Sequence, residues 1–168
     1  MTPRDLVLTP KGLRFRGQCF PCSIGRAGVS TAKREGDGAT PAGVHRIVEL
    51  LYRPDRMARP AAWARPIGPG DLWSDDPERP DYNSRVSRPH DGSHEVLRRA
   101  DPLYDLVLVT DWNRPPAVPY AGSCIFVHTW RRPRYPTAGC IALRRDRLRA
   151  LARLIRPGTR LIVRPAGR

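Results

Sequence analysis

A chain of 168 residues with 40% hydrophobic content can bury one core and is too short for two comfortable domains, so residues 1–168 are read as a single domain. Thirty Lys and Arg against sixteen Asp and Glu give a net charge of +14, whose field favours an anionic partner. The arginines are scattered from Arg4 to Arg168 without a basic helix or interleaved aromatics, which argues against nucleic acid, and no apolar run of about eighteen residues is present to span a membrane.

The N-terminal "DLVLT" and "GLRFRG" are short and apolar or alternating, as β-strands are, and "RFRGQCFPCSIGRAG" keeps the alternation. Cys19 and Cys22 in "CFPC" could form a redox pair or half of a zinc site. No second CxxC or HxxxH completes four ligands, so no metal is expected, and packed strand thiols are the plainer alternative. "GVHRIVELLYR" reads as the next strand. From Tyr52 to Pro102 the chain is crowded with Pro, Asp, Arg, Trp and Tyr and shows no sustained period. It is expected to be a long Pro-rich covering loop with short extended pieces at "WSDDPERPDYNSRV" and "GSHEVL".

"LYDLVLVTDW" and "SCIFVHTW" resume the strands, with Cys124 expected in the core. In "RRDRLRALARLIRPG", Leu148, Leu151 and Ile155 follow three-and-four spacing, Asp146 is a candidate cap, and Pro157 with Gly158 ends the pattern. This predicts a helix of about three turns. "TRLIVRP" closes the chain as a strand. The whole reads as a mainly β domain with one or few helices, a largely antiparallel sandwich or barrel.

The segment "HTWRRPRYPTAGCIAL", residues 128–143, holds the chemistry. Gly139 lets the backbone turn sharply beside Cys140, while "CIAL" re-enters an apolar run that can anchor the thiol. If the loop of residues 129–139 folds back like a hairpin, His128 at a strand end meets Cys140. A cysteine attacks as thiolate, so its pKa of about 8.5 needs a base or nearby positive charge, and His128 can take the proton. Arg131, Arg132 and Arg134 either add potential that favours the thiolate or are solvated loop charge.

Together with "KREGDGATPAGVHRI" at residues 33–47, this segment resembles the L,D-transpeptidase catalytic domain, the YkuD family. Gly36, Asp37, Gly38, Thr40, Pro41 and Gly43 match that family's second landmark, and the likeness covers roughly residues 5 to 165. The resemblance implies a YkuD-like β-sandwich with Cys140 as nucleophile and His128 as general base, oriented by the carbonyl of Thr129. It further implies oxyanion donors among the backbone N–H groups of Ala138, Gly139 and Cys140, with Thr137 ordering the loop. Ala138 replaces the motif's second histidine, Ala142 stands where Asn or Arg is usual, and the His-to-Cys loop is short. Those departures, with the segment "NRPPAVPY" at 113–120, point to a narrowed cleft. Within the compact single-domain relatives it most resembles, Tyr82, Asn83, Arg85, His94, Arg131, Tyr135 and Thr137 are the expected substrate contacts, His94 being equally suited to a structural role.

The implied activity is peptidoglycan crosslinking without cofactor: Cys140 forms a thioester with a stem peptide and the side-chain amine of diaminopimelate on a second stem takes the acyl group. Both stems are the expected partners, and 1,3-crosslinks are expected, otherwise 3,3. That chemistry belongs in the periplasm or cell wall, although "MTPRDLVLTPKGLRF" shows no signal peptide. With water as acceptor the same site would be an L,D-carboxypeptidase or endopeptidase. A basic wall- or nucleic-acid-binding protein that leaves Cys140 idle is the non-enzymatic alternative.

Overall fold

The computed structural model describes residues 2–165. Its strands are Leu6–Thr9 (β1), Gly12–Phe15 (β2), Gln18–Phe20 (β3), Cys22–Ser23 (β4), Val29–Ser30 (β5), Thr40–Pro41 (β6), Gly43–Tyr52 (β7) and Arg65–Pro66 (β8). There follow Asp71–Ser74 (β9), Ser84–Ser87 (β10), His94–Val96 (β11), Leu106–Thr110 (β12), Phe126–Thr129 (β13), Ile141–Leu143 (β14) and, after helix Arg145–Leu154 (α1), Arg160–Val163 (β15). A mainly β domain with one short helix is thus what the alternating runs produce.

The principal sheet runs β3-β2-β1-β15-β7-β12-β13-β14-β4, with β8 added beside β7. Only Pro21 separates β3 from β4, so the chain itself ties the two sheet edges together and the sheet curls almost into a barrel. Alternation divides the central strands between two cores. Leu106 and Leu108 of β12 join Leu6, Ile47, Leu148, Leu151 and Ile155 beneath the helix. Val107 and Val109 face the opposite side, where they pack with Trp73, Leu97, Tyr104 and Phe126.

That second core is capped by the Tyr52–Pro102 segment, which is more ordered than a loop. Its extended pieces pair as a three-stranded antiparallel sheet, β10-β9-β11, whose Trp73 is 1% exposed and meets Phe126 edge-on at 5.0 Å. Strands of three or four residues set among prolines show no measurable period, but one buried aromatic is enough to dock them.

Two other expectations change. β13 and β14 are parallel, in the register Val127↔Ile141 and His128↔Ala142, so residues 130–140 form a crossover and not a hairpin. The helix begins two residues earlier than a cap at Asp146 requires. Arg144 is the N-cap without a side-chain bond, and Asp146 lies in the first turn, held by Arg144 through two contacts of 2.5 Å.

Candidate active site

The crossover sets the thiol and the imidazole on the same face. With His128 opposite Ala142, Cys140 falls opposite Phe126, and residues two apart on a strand point the same way. Cys140 and His128 therefore become diagonal neighbours that line one cleft of about 300 Å3. Phe126 lies beside them on that face, and its N–H donates to Cys140 Sγ at 3.4 Å. The Cys140 S–H donates to the Cys124 carbonyl at 2.9 Å.

His128 is buried, and its Nδ1 lies 2.8 Å from the carbonyl oxygen of Thr129. A carbonyl can only accept, so Nδ1 bears the proton and Nε2 is left as the acceptor. Tyr104 packs edge-on against the ring at 5.3 Å. Burial holds the imidazole down at about 4 and pushes the half-buried Cys140 thiol up to about 12, the latter eased by the Phe126 N–H and raised further by Glu95. The resting pair is therefore neutral thiol and neutral imidazole. Arg131 and Arg132 stack over Tyr135, Arg134 is exposed, and these loop charges do not turn Cys140 into a thiolate.

The two sequence motifs meet at Gly139. The Thr40 hydroxyl donates to the Gly139 carbonyl at 2.8 Å and accepts from the Gly25 N–H at 3.0 Å, pinning the turn before the thiol. At φ +147° Gly139 takes a conformation suited to glycine, and a Cβ there would come within 2.9 Å of the Ala39 oxygen. Thr137 reinforces the turn: its hydroxyl donates to the Cys140 carbonyl at 2.6 Å and accepts from the Gly139 N–H at 3.1 Å. Asp37, gripping Lys33 Nζ at 2.6 Å and the Ala39 N–H at 2.8 Å, orders the preceding loop.

Of the residues expected to contact substrate, Arg131, Tyr135 and Thr137 line the cleft, as do Ala138, Gly139 and Ala142. Tyr82, Asn83, Arg85 and His94 do not. Arg85 is turned to Asp71 and the Pro66 carbonyl. His94 bonds the Gly92 carbonyl through Nδ1 and packs on His90. The hydroxyl of buried Tyr82 donates to Glu35 and accepts from the Gly122 N–H, and burial with that carboxylate pushes its pKa upward.

Asn83, 2% exposed, uses its whole amide: Oδ1 accepts from Trp73 Nε1 at 2.9 Å and Cys124 N at 3.1 Å, while Nδ2 donates to the carbonyls of Trp112 and Asn113. It therefore holds Cys124, at a left-handed φ of +53°, whose carbonyl receives the thiol. Cys124 is accordingly a wall of the cleft as well as a core contact. The 113–120 segment lines none of the cleft; Asn113 folds it on itself through Val118 and Gly122.

Sequence reasoning missed several polar cleft residues, among them Lys33, Glu35, Asp75, Glu95, Arg99 and Tyr104. Glu95 adjoins His94 in "GSHEVL", and alternation sends only one of the two inward, a choice that needs the strand register. Cys19 is an exposed free thiol, and Cys22, pushed up to about 11 by burial, packs on the main core. Among the described residues no group of three or more His, Cys, Asp or Glu could hold a metal ion, and no helix is long and apolar enough to cross a membrane.

In comparison with known families, the model for YkuD, the L,D-transpeptidase catalytic domain, fits residues 6–163. No curated protein matches the chain.

Proposed function

Because this chain belongs to the YkuD family of L,D-transpeptidase catalytic domains, we propose that it transfers acyl groups between peptidoglycan stem peptides through a thioester on Cys140. The observation that supports this most is the shared cleft in which a thiol and an Nε2 acceptor stand on one strand face. As Cys140 attacks the donor carbonyl, its proton passes to His128 Nε2, and the imidazolium then protonates the departing amine. The Thr129 carbonyl keeps the ring in the tautomer this requires and supports the charge that forms on it.

The Gly139 N–H is already engaged by Thr137, so the oxyanion is assigned to the N–H groups of Cys140 and Ala138, with Gly139 supplying the turn. Arg131, Tyr135 and Thr137 are the substrate contacts retained in this reading. A side-chain amine of diaminopimelate on a second stem then displaces the thiolate. The bond made resembles the bond broken, so no cofactor is invoked. This chemistry assigns the protein to the periplasm or cell wall.

For the donor we assign the carbonyl of L-Ala at position one, which gives a 1,3-crosslink; Ala138 and Ala142 on the cleft wall, both without polar side chains, support it. Incubating the protein with a defined tetrapeptide muropeptide and weighing the products tests both points. A leaving fragment that begins at D-Glu supports the 1,3 assignment, and free D-Ala returns the protein to 3,3 chemistry. Capture by water alone, with acceptor present, would make it a hydrolase.

A further inference from the structure

One wall of the cleft holds two carboxylates that the thiol and imidazole do not use. Glu95 pairs with Trp73 across β11 and β9, and Asp75 stands two residues beyond Trp73, so all three side chains share the face turned toward the principal sheet. Trp73 packs there on Phe126, and both carboxylates line the cleft of Cys140.

In a protein of net charge +14 these two acids are poorly neutralised. Asp75 Oδ1 is closed off from solvent and has no hydrogen-bond partner. Arg99 approaches Glu95 only to 3.8 Å, because its guanidinium is spent on Asp101 at 2.8 and 2.7 Å. The other cations of the cleft are also committed: Lys33 to Asp37 and the Arg34 carbonyl, Arg131 to the face of Tyr135. Glu95 is partly exposed in the cleft and has the Tyr104 hydroxyl beside it, but the buried, orphaned oxygen of neighbouring Asp75 is costly unless a cation completes it.

We propose that Glu95 and Asp75 form the subsite for the ammonium group of the acyl acceptor. The inference rests on the acyl-transfer reading and specifies its second half. An amine arriving as R–NH3+ must lose one proton before its lone pair can attack, and the Glu95 carboxylate takes that proton. The neutral amine then attacks the thioester: the N–C bond forms, the C–S bond breaks, and the second proton goes from nitrogen to His128 Nε2 and on to the Cys140 sulfur. Glu95 returns its proton to water. Burial and the Asp75 charge push the Glu95 carboxyl above its usual range, in the direction that suits a proton acceptor.

The test is a competition for one thioester. Wild type, Glu95→Gln and Asp75→Asn are acylated by a stem-peptide donor and offered diaminopimelate, whose amines are charged at neutral pH, together with hydroxylamine, which is not. Product masses give the ratio of cationic to neutral capture, in which any change in thiol reactivity or folded fraction cancels. The ratio should fall about tenfold or more in Glu95→Gln and by a smaller factor in Asp75→Asn, the range expected when a hydrogen bond to a charged group is lost. If Glu95→Gln does not fold, a fall in Asp75→Asn alone supports the subsite. A ratio unchanged in the variants that fold overturns it while the acyl-transfer reading stands. A folded wild type that forms no thioester overturns both.

Discussion

At the scale of single residues, the pairing of Cys140 with His128 is unusual in its charge state. A catalytic thiol is commonly expected as thiolate, but burial here keeps sulfur and imidazole neutral, with values near 12 and 4. The acceptor form of His128 is the neutral one, so lowering the pH through 6.5 should leave thioester formation on Cys140 intact, and this first half of the reaction should fall only as the pH drops through about 4. Alkylation of Cys140 at pH 7 should be on the order of a thousandfold slower than that of a free thiol of pKa about 8.5. A stopped assay of iodoacetamide uptake against pH checks this, and rapid labelling at neutral pH would show an ion pair instead. Asn83 offers a second residue-scale prediction. Asn83→Ala strands Trp73 Nε1, the Cys124 N–H and two carbonyls, and should cost about 3 kcal/mol in denaturant titration. Because it also releases the Cys124 N–H, and with it the backbone that presents the Cys124 carbonyl to the thiol, the pH dependence of alkylation should move in the protein that remains folded. Tyr82 and Asn83 were expected to touch substrate and instead stand behind the cleft as supports, because a residue type does not reveal which way its strand or turn faces.

Among the elements, the turn that presents Cys140 depends on a residue 100 positions upstream. Thr40 alone links the Gly25 N–H to the Gly139 carbonyl, so Thr40→Val removes both bonds from a buried position. A loss of about 2 kcal/mol in stability is expected, and turnover should fall further than the folded fraction explains, since the turn carries the thiol. Thermal unfolding alongside single-turnover acylation separates the two effects. The strands around this turn could be read from alternation in "LVLT", "LRF" and "LVLVT", where one side or both meets a core. The sheet within residues 52–102 could not, because its strands are short, rich in charge and held by Trp73 and by contacts distant in sequence. The parallel order of β13 and β14 was equally hidden: eleven residues containing Gly and Pro suit a hairpin as well as a crossover, and only pairing decides.

For the molecule as a whole, the fold places an apolar barrel-like sheet under a strongly basic surface and sets Asp75, with its buried unpartnered oxygen, and Glu95 on the wall of the cleft. Under the proposed function, the field of the arginines would draw in a substrate rich in carboxylates, while the cleft would receive the cationic end of the acceptor. Both motifs that reveal the family, "EGDGATPAG" and "HTWRRPRYPTAGC", converge on one turn, which is why the site was so much more legible than the sheet that covers it. The central claim is that Cys140 carries the acyl group, and intact-protein mass spectrometry of the enzyme mixed with a stem-peptide donor measures it directly. The expected result is a mass increase equal to the donor minus its leaving fragment, mapped to Cys140 and absent from Cys140→Ala. No adduct on a folded wild-type protein, or the same adduct on Cys140→Ala, would contradict it.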